Sequence, residues 1–173
     1  MKTLDPRALR DACGLFSTGV NVIATRHEDG DHGMTANAFM SISLDPPLIS
    51  VSIGERAKIL PHLQRTGRFS VSTLAEGNAE LAWHFAGRPV ESLTNPFDEL
   101  DGLPVIRSAL AAYACDIVNE VEAGDHTIFI GQVSQLITDP GARPLIFYKG
   151  RFGAVAAQAP APELCDPVAE AIW

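Results

Sequence analysis

The sequence predicts a mainly β, single-domain protein: an antiparallel sheet or barrel of six or seven strands with three short helices beside it. Three observations predict it. Short runs such as Phe69-Ser70-Val71-Ser72-Thr73-Leu74 alternate apolar and small polar residues with the two-residue period of a strand. Most such runs are separated by tight, Gly- and Asp-containing turns, which join antiparallel neighbours. Neither GxGxxG after a strand nor GxxxxGK[ST] occurs, so a Rossmann or P-loop nucleotide site is not expected.

Asp5-Pro6 reads as an N-cap followed by proline at the first helical position, with Leu9, Ala12 and Phe16 on one face and Gly19 as the stop. Val20 to Thr25 reads as a strand closed by a turn from Glu28 to Gly33. His27 and His32 flank the acidic stretch Glu28-Asp29-Gly30-Asp31 and read as a solvated hairpin tip. Met34 to Leu44 is a segment of polar and small residues, and Leu48 to Ile53 a strand with one less apolar face. A short helix carries Ile59, Leu60 and Leu63 and stops near Gly67. After the strand Phe69 to Leu74, Asn78 caps a helix with Leu81, Ala82 and Phe85 that stops at Gly87. Residues 88–104, rich in Pro, Asn, Asp and Gly, read as a long surface excursion. Ala112–Val121, Thr127–Ile137 and Leu145–Tyr148 complete the strands. The domain is expected over residues 1–153, with an Ala/Pro-rich tail over 154–173.

A chain of 173 residues, 46% hydrophobic and 20% charged, is long enough for one well-buried core. Its formal net charge of −8 gives no counterion-release advantage on a phosphate backbone, so nucleic-acid binding is not expected. No apolar run approaches the ~18 residues of a membrane span, and MKTLDPRALR lacks the apolar centre of a signal peptide, so a cytoplasmic protein is expected. Cys13, Cys115 and Cys165 are odd in number and far apart, and the histidines form no HExxH. Neither disulfides nor metal catalysis is expected.

Chemistry concentrates around Gly33-Met34-Thr35-Ala36-Asn37-Ala38-Phe39 and Ser41-Ile42-Ser43-Leu44-Asp45-Pro46-Pro47-Leu48. Small residues let a planar ring approach the backbone, and Thr35 and Asn37 add short donors and acceptors; the same residue types also suit a capped turn entering a strand. With Phe16-Ser17-Thr18-Gly19-Val20, Gly67-Arg68-Phe69, Phe85-Ala86-Gly87, Gly124-Asp125-His126-Thr127-Ile128 and Gly150-Arg151-Phe152, these strings occur in one order over roughly residues 10–153. In that order they resemble the flavin reductase-like domain family, the FMN-binding split barrels that include reductase components of two-component flavin monooxygenases.

The resemblance implies a split β-barrel that binds FMN or FAD without a covalent link and reduces it with NADH or NADPH. Reduced flavin would then pass to a partner flavin-dependent monooxygenase. It implies that Thr35, Ala36, Asn37 and Ala38 line the flavin, and that the strand ending at Ser52 and the helix start after it, with Ala57 and Lys58, hold the phosphate. Ala57 and Ile59 stand where the family often has hydroxyl residues, and Arg56 offers a further positive charge. His126 is the implied catalytic residue beside the flavin, oriented by Asp125, and Arg151 the implied contact to a nucleotide phosphate or the flavin. Phe152 replaces a frequent tyrosine, while Trp83 and Phe85 read as core. A homodimer is also implied. Two other readings remain: a non-catalytic flavin-binding or carrier protein of the same fold, and a flavin-dependent oxidase acting directly on a small organic substrate.

Overall fold

The structure, a computed structural model, describes residues 4–156. In chain order the elements are α1 (Pro6–Cys13), β1 (Thr18–Gly19), β2 (Asn21–His27), β3 (Gly30–Ala36), β4 (Phe39–Leu44), β5 (Pro47–Gly54), α2 (Leu60–Thr66) and β6 (Arg68–Leu74). They continue with α3 (Ala79–Phe85), β7 (Phe97–Leu100), β8 (Leu103–Ile106), β9 (Ala109–Ala123), β10 (His126–Thr138), β11 (Leu145–Tyr148) and β12 (Arg151–Ala154). The expected tail, apart from residues 154–156, lies outside the described residues, and Ala154 itself belongs to β12.

Seven strands form the main sheet in the order β3-β2-β6-β9-β10-β5-β4, and every pairing in it is antiparallel. Its two edges, β3 and β4, are consecutive in the chain and joined only by Asn37 and Ala38. Three Cα–Cα steps cover at most ~11 Å, whereas seven flat strands would set the edges ~29 Å apart. The sheet must therefore curl until its edges meet. Ser52 N donates to Ala38 O at 3.4 Å, which carries the β4–β5 ladder one step into the link, and Met34, Ala36 and Phe39 pack on the same interior as Ile49, Val51 and Ile53. The interior is filled by these with Ile23, Leu63, Phe69, Val71 and Phe129.

A second cluster lies outside the barrel wall, where Val20, Val22 and Leu74 meet Leu81 and Ala82 of α3, Ile106 of β8 and Leu145 of β11. β2 is thus covered on both faces, which explains its unbroken apolar run. The serines of β6 are also covered: Ser70 donates to Pro104 O, and Ser72 Oγ accepts from Ile106 N at 2.9 Å. Arg68 is held by Asp101 and Asp116.

Four segments differ from the sequence reading. Met34 to Leu44 is not one polar segment but the end of β3, a two-residue link and β4, whose edge positions tolerate polar residues. The surface excursion contains the β7–β8 hairpin, and β8 is buried along its length. α1 starts as expected, with Asp5 Oδ1 accepting from Arg7 N at 3.0 Å, but ends at Gly14 rather than Gly19. No residue of α1 is buried, and Phe16 beyond it is 78% exposed. Asn78 does not cap α3 by its side chain; it accepts from Ala75 N and donates to Ser108. Cys115 is buried, which pushes its thiol up to about 12 and leaves it unreactive, while Cys13 is exposed.

Gly131 sits at a register shift of the β9–β10 ladder, where an added Cβ would lie 2.6 Å from Phe69 Cζ and 2.9 Å from Cys115 Cβ. Both neighbours are fully buried. Gly131→Ala is expected to destabilise the domain by ~1–3 kcal/mol through overpacking, seen as a lower midpoint in equilibrium urea unfolding.

Candidate functional site

The β3–β4 link that closes the barrel is also the floor of an open groove. The groove encloses about 1280 Å³ and is lined by Asn37, Ala38, His126, residues 10–16 at the end of α1, and Phe147, Lys149 and Gly150. It exceeds the ~300–1,000 Å³ usual for a single small molecule. Asn37 O accepts from Phe39 N at 3.0 Å and Ala38 O from Ser52 N, but among the described residues the amides of Asn37 and Ala38 donate to no backbone carbonyl. Two unpaired donors beside side chains this small fit the polar edge of a flat heterocycle.

His126 opens β10 opposite Gly54, the last residue of β5. A Cβ at Gly54 would lie 3.6 Å from His126 Nε2, an ordinary contact distance, so the imidazole lies against the end of β5. The preceding turn uses Gly124 at φ 66°, and Glu55 N donates to Asp125 O at 2.9 Å, tying the turn to the end of β5. The imidazole Nδ1 lies 2.7 Å from Asp125 Oδ1. The hydrogen bond to His126 holds the Asp125 carboxyl below the usual carboxylate range. His126 remains half exposed and lines the groove, with Asp125 bonded at its Nδ1.

A smaller cavity of about 210 Å³ adjoins the groove through Asn37 and Phe147 and is lined by Thr35, Ala36, Trp83 and Phe152. Phe152 packs on Trp83 at a centroid distance of 4.8 Å and on Phe147 at 5.7 Å. Trp83 is therefore a cavity wall as well as a packing residue, whereas Phe85 packs on Phe97 as expected of core. Thr35 Oγ1 donates to Ala82 O of α3 at 2.6 Å, which commits the hydroxyl proton to the fold.

The expected phosphate residues are arranged differently from the sequence reading. β5 runs on to Gly54, a turn closes with Ala57 N donating to Gly54 O at 2.9 Å, and α2 starts only at Leu60. Ala57 packs against the barrel core and Ile59 lies in it, 3% exposed. Lys58 is exposed on the turn, and Arg56 is exposed beside Glu55. Ser52 touches the link through its amide, but Ser52, Ala57 and Lys58 do not line the groove. Arg151 lies outside it too, in a shallow pocket with Tyr148, Lys149 and Phe152.

Sequence reasoning missed Arg10, Asp11, Phe16, Phe147 and Lys149, which all border the groove. The signal for Lys149 was its turn: Lys149 and Gly150 have φ of 48° and 77°, the conformation of a two-residue hairpin. That turn reaches α1, where Lys149 N donates to Gly14 O at 3.1 Å. No spacing in the chain announces that contact.

A closed antiparallel sheet with a wide groove at its mouth, one oriented imidazole and aromatic walls defines a barrel suited to chemistry carried by planar cofactors. Residues 13–156 match the family model described as flavin reductase like domain, and the chain belongs to that family. A NADH-dependent flavin reductase of Rhodococcus sp is 45% identical over 150 residues, covering 85% of each chain. The reductase component of 4-hydroxyphenylacetate 3-monooxygenase from Thermus thermophilus is 39% identical over 142 residues, 82% of this chain and 91% of that one. The solved structure of flavin reductase PheA2 in its native state superposes with a TM-score of 0.85 at 46% identity, covering 89% of this chain and all of that one. The fold is thus the split barrel of these reductases. No described helix is long and apolar enough to cross a membrane.

The Thr35 bond to α3 yields a structural expectation. Ala82 O keeps its helical partner, Ala86 N, at 3.1 Å, so Thr35→Val removes one hydrogen bond without orphaning the carbonyl. A loss of about 1 kcal/mol, or a melting temperature lower by about 2–4 °C, is expected in thermal unfolding.

Proposed function

We propose that this protein is an NADH-dependent flavin reductase, which binds FMN or FAD without a covalent link and supplies the reduced flavin to a separate monooxygenase. The observation that carries this reading is the meeting of the Asn37–Ala38 link and His126 in one groove large enough for two ring systems. Named relatives at up to 45% identity support it.

When bound, the nicotinamide supplies a hydride and the flavin accepts it, so the protein needs no nucleophile of its own. Its work is placement, because holding two reacting atoms ~3–3.5 Å apart supplies most of the acceleration available without covalent catalysis. Asn37 and Ala38 offer their amides, Ala36 keeps the wall thin, and Thr35 locks that wall onto α3. His126, held by Asp125, places the nicotinamide. Lys58, reached through Ser52 and the turn containing Ala57, is the cation for the flavin phosphate. Arg151 and Lys149 are the cations for the nicotinamide nucleotide's phosphates. The exposed apolar side chains of Phe16, Met40, Ile42 and Leu44 support a homodimer in which such surface is covered. A cytoplasmic setting supplies the nicotinamide donor.

Purified protein mixed with NADH and free FMN or FAD is expected to consume NADH catalytically, measured by nicotinamide absorbance. A yellow protein that leaves NADH untouched would establish the carrier reading instead. His126→Ala is expected to lower turnover by about tenfold or more with flavin affinity nearly unchanged; unaltered kinetics would remove His126 from the mechanism. Light scattering is expected to give twice the 18.5 kDa chain mass, and a monomeric mass would count against the dimer.

A further inference from the structure

At the opposite end of the β2–β3 hairpin from the groove, three histidines gather around one carboxylate. His27 Nδ1 and His32 Nε2 lie 3.0 Å and 2.9 Å from the same oxygen, Asp29 Oδ1. His62, from α2, stacks on the His32 ring at a centroid distance of 3.6 Å and meets the His27 ring edge-on at 5.5 Å. One ligand-capable atom from each of His27, Asp29 and His62 lies within 4.8 Å of the other two. Zinc bonds of ~2.0–2.1 Å in a tetrahedron set ligand atoms ~3.4 Å apart. Closing this set therefore takes side-chain adjustments of about an ångström.

We propose that His27, Asp29 and His62 form a binding site for a zinc-class divalent cation, with His32 holding the Asp29 carboxylate in place. Two imidazoles and one carboxylate are a donor set that suits zinc, whereas calcium and magnesium select all-oxygen cages. Ligating carboxylates are characteristically fixed by a further hydrogen bond, and His32 supplies it. The two elements are already fastened together: Thr25 donates to Arg68 O at 2.9 Å and its hydroxyl lies 3.0 Å from that of Thr66, at the end of α2. Only side chains need to move. Arg65 opposes the ion, with Nη1 3.4 Å from His27 Nε2.

Four residues of β3 separate His32 from Asn37, five steps that span ~16 Å. The ion therefore takes no part in the groove's chemistry. It clips the hairpin tip to α2, and so steadies the strand whose other end carries the groove floor. The site stands independently of which cofactors the groove holds.

The test uses the full chain, free of any affinity tag and stripped with a chelator, titrated with Zn²⁺ against a competing chromogenic chelator. One Zn²⁺ per chain at micromolar affinity or tighter is expected, with a melting temperature raised by about 5 °C or more at saturation. Co²⁺ in its place is expected to show visible absorption of tetrahedral type. Asp29→Asn and His62→Gln are expected to weaken Zn²⁺ binding by about tenfold or more. Arg65→Gln is expected to tighten it, and His126→Ala, outside the cluster, to leave it unchanged. Should His62→Gln fail to fold, Asp29→Asn at the exposed tip carries the comparison. Failure of about 100 µM Zn²⁺ to compete, or wild-type affinity in the Asp29 and His62 variants, would overturn the proposal.

Discussion

The edges of the main sheet are tied together by two residues, and the rest of the molecule follows from that tether. Because β3 and β4 are the first and last strands of the sheet yet adjacent in the chain, an open sheet is geometrically forbidden. Closure in turn removes most exposed edge, which an open sheet would otherwise have to guard with charge or proline. It also leaves in the tether two amides, of Asn37 and Ala38, that among the described residues donate to no backbone carbonyl. Asn37 and Ala38 are small because larger side chains would occupy the space that closure creates above them. Barrel topology and binding floor are thus the same constraint, seen from inside and from outside.

The second layer answers a different problem. A barrel of this size buries the inward side chains of β2, β5, β6 and β10, but β2 and β6 also carry buried residues on the outer face. α3 and the β7–β8 hairpin cover that face, and the serines of β6 become acceptable there because β8 supplies their hydrogen-bond partners. Thr35, bonded to α3, connects this outer layer to the wall of the small cavity. Packing of the outer layer thus reaches the cavity wall two residues before the link that lines the groove.

How far the sequence discloses all this depends on whether a segment's environment is local. β5, α2 and β6 were legible because each has a recognisable period and a marked stop, such as Gly67 at φ 66°, and β11 because a short apolar run ends at Lys149-Gly150. β3 was not, since an edge strand of sequence GDHGMTA carries too few apolar residues to show a two-residue period. β8 was hidden by its proline and by the turn-rich residues before it, although its four residues are buried. Among the site residues, His126 and the Asn37–Ala38 link sit on turns that sequence marks, and the fold brings them together. Lys149, Phe16 and His62 gain their neighbours only through tertiary contacts, which no spacing encodes.

The turn after β5 shows how a departure from a family pattern can be read physically. Hydroxyls at positions 57 and 59 would each add ~1.5–3 kcal/mol of charge-assisted bonding to a phosphate. In this chain Ala57 packs against the barrel core and Ile59 is inside it, where a hydroxyl would be desolvated without a partner. The two residues anchor the start of α2 instead, and Lys58 between them is left on the surface, where the proposed function makes it the phosphate's cation. A phosphate held there meets a point charge in water, where screening limits the attraction to the range of exposed ion pairs. Such a grip releases its ligand readily. On the proposed function that is an advantage, because a reductase whose product must reach a second protein turns over no faster than the reduced flavin departs.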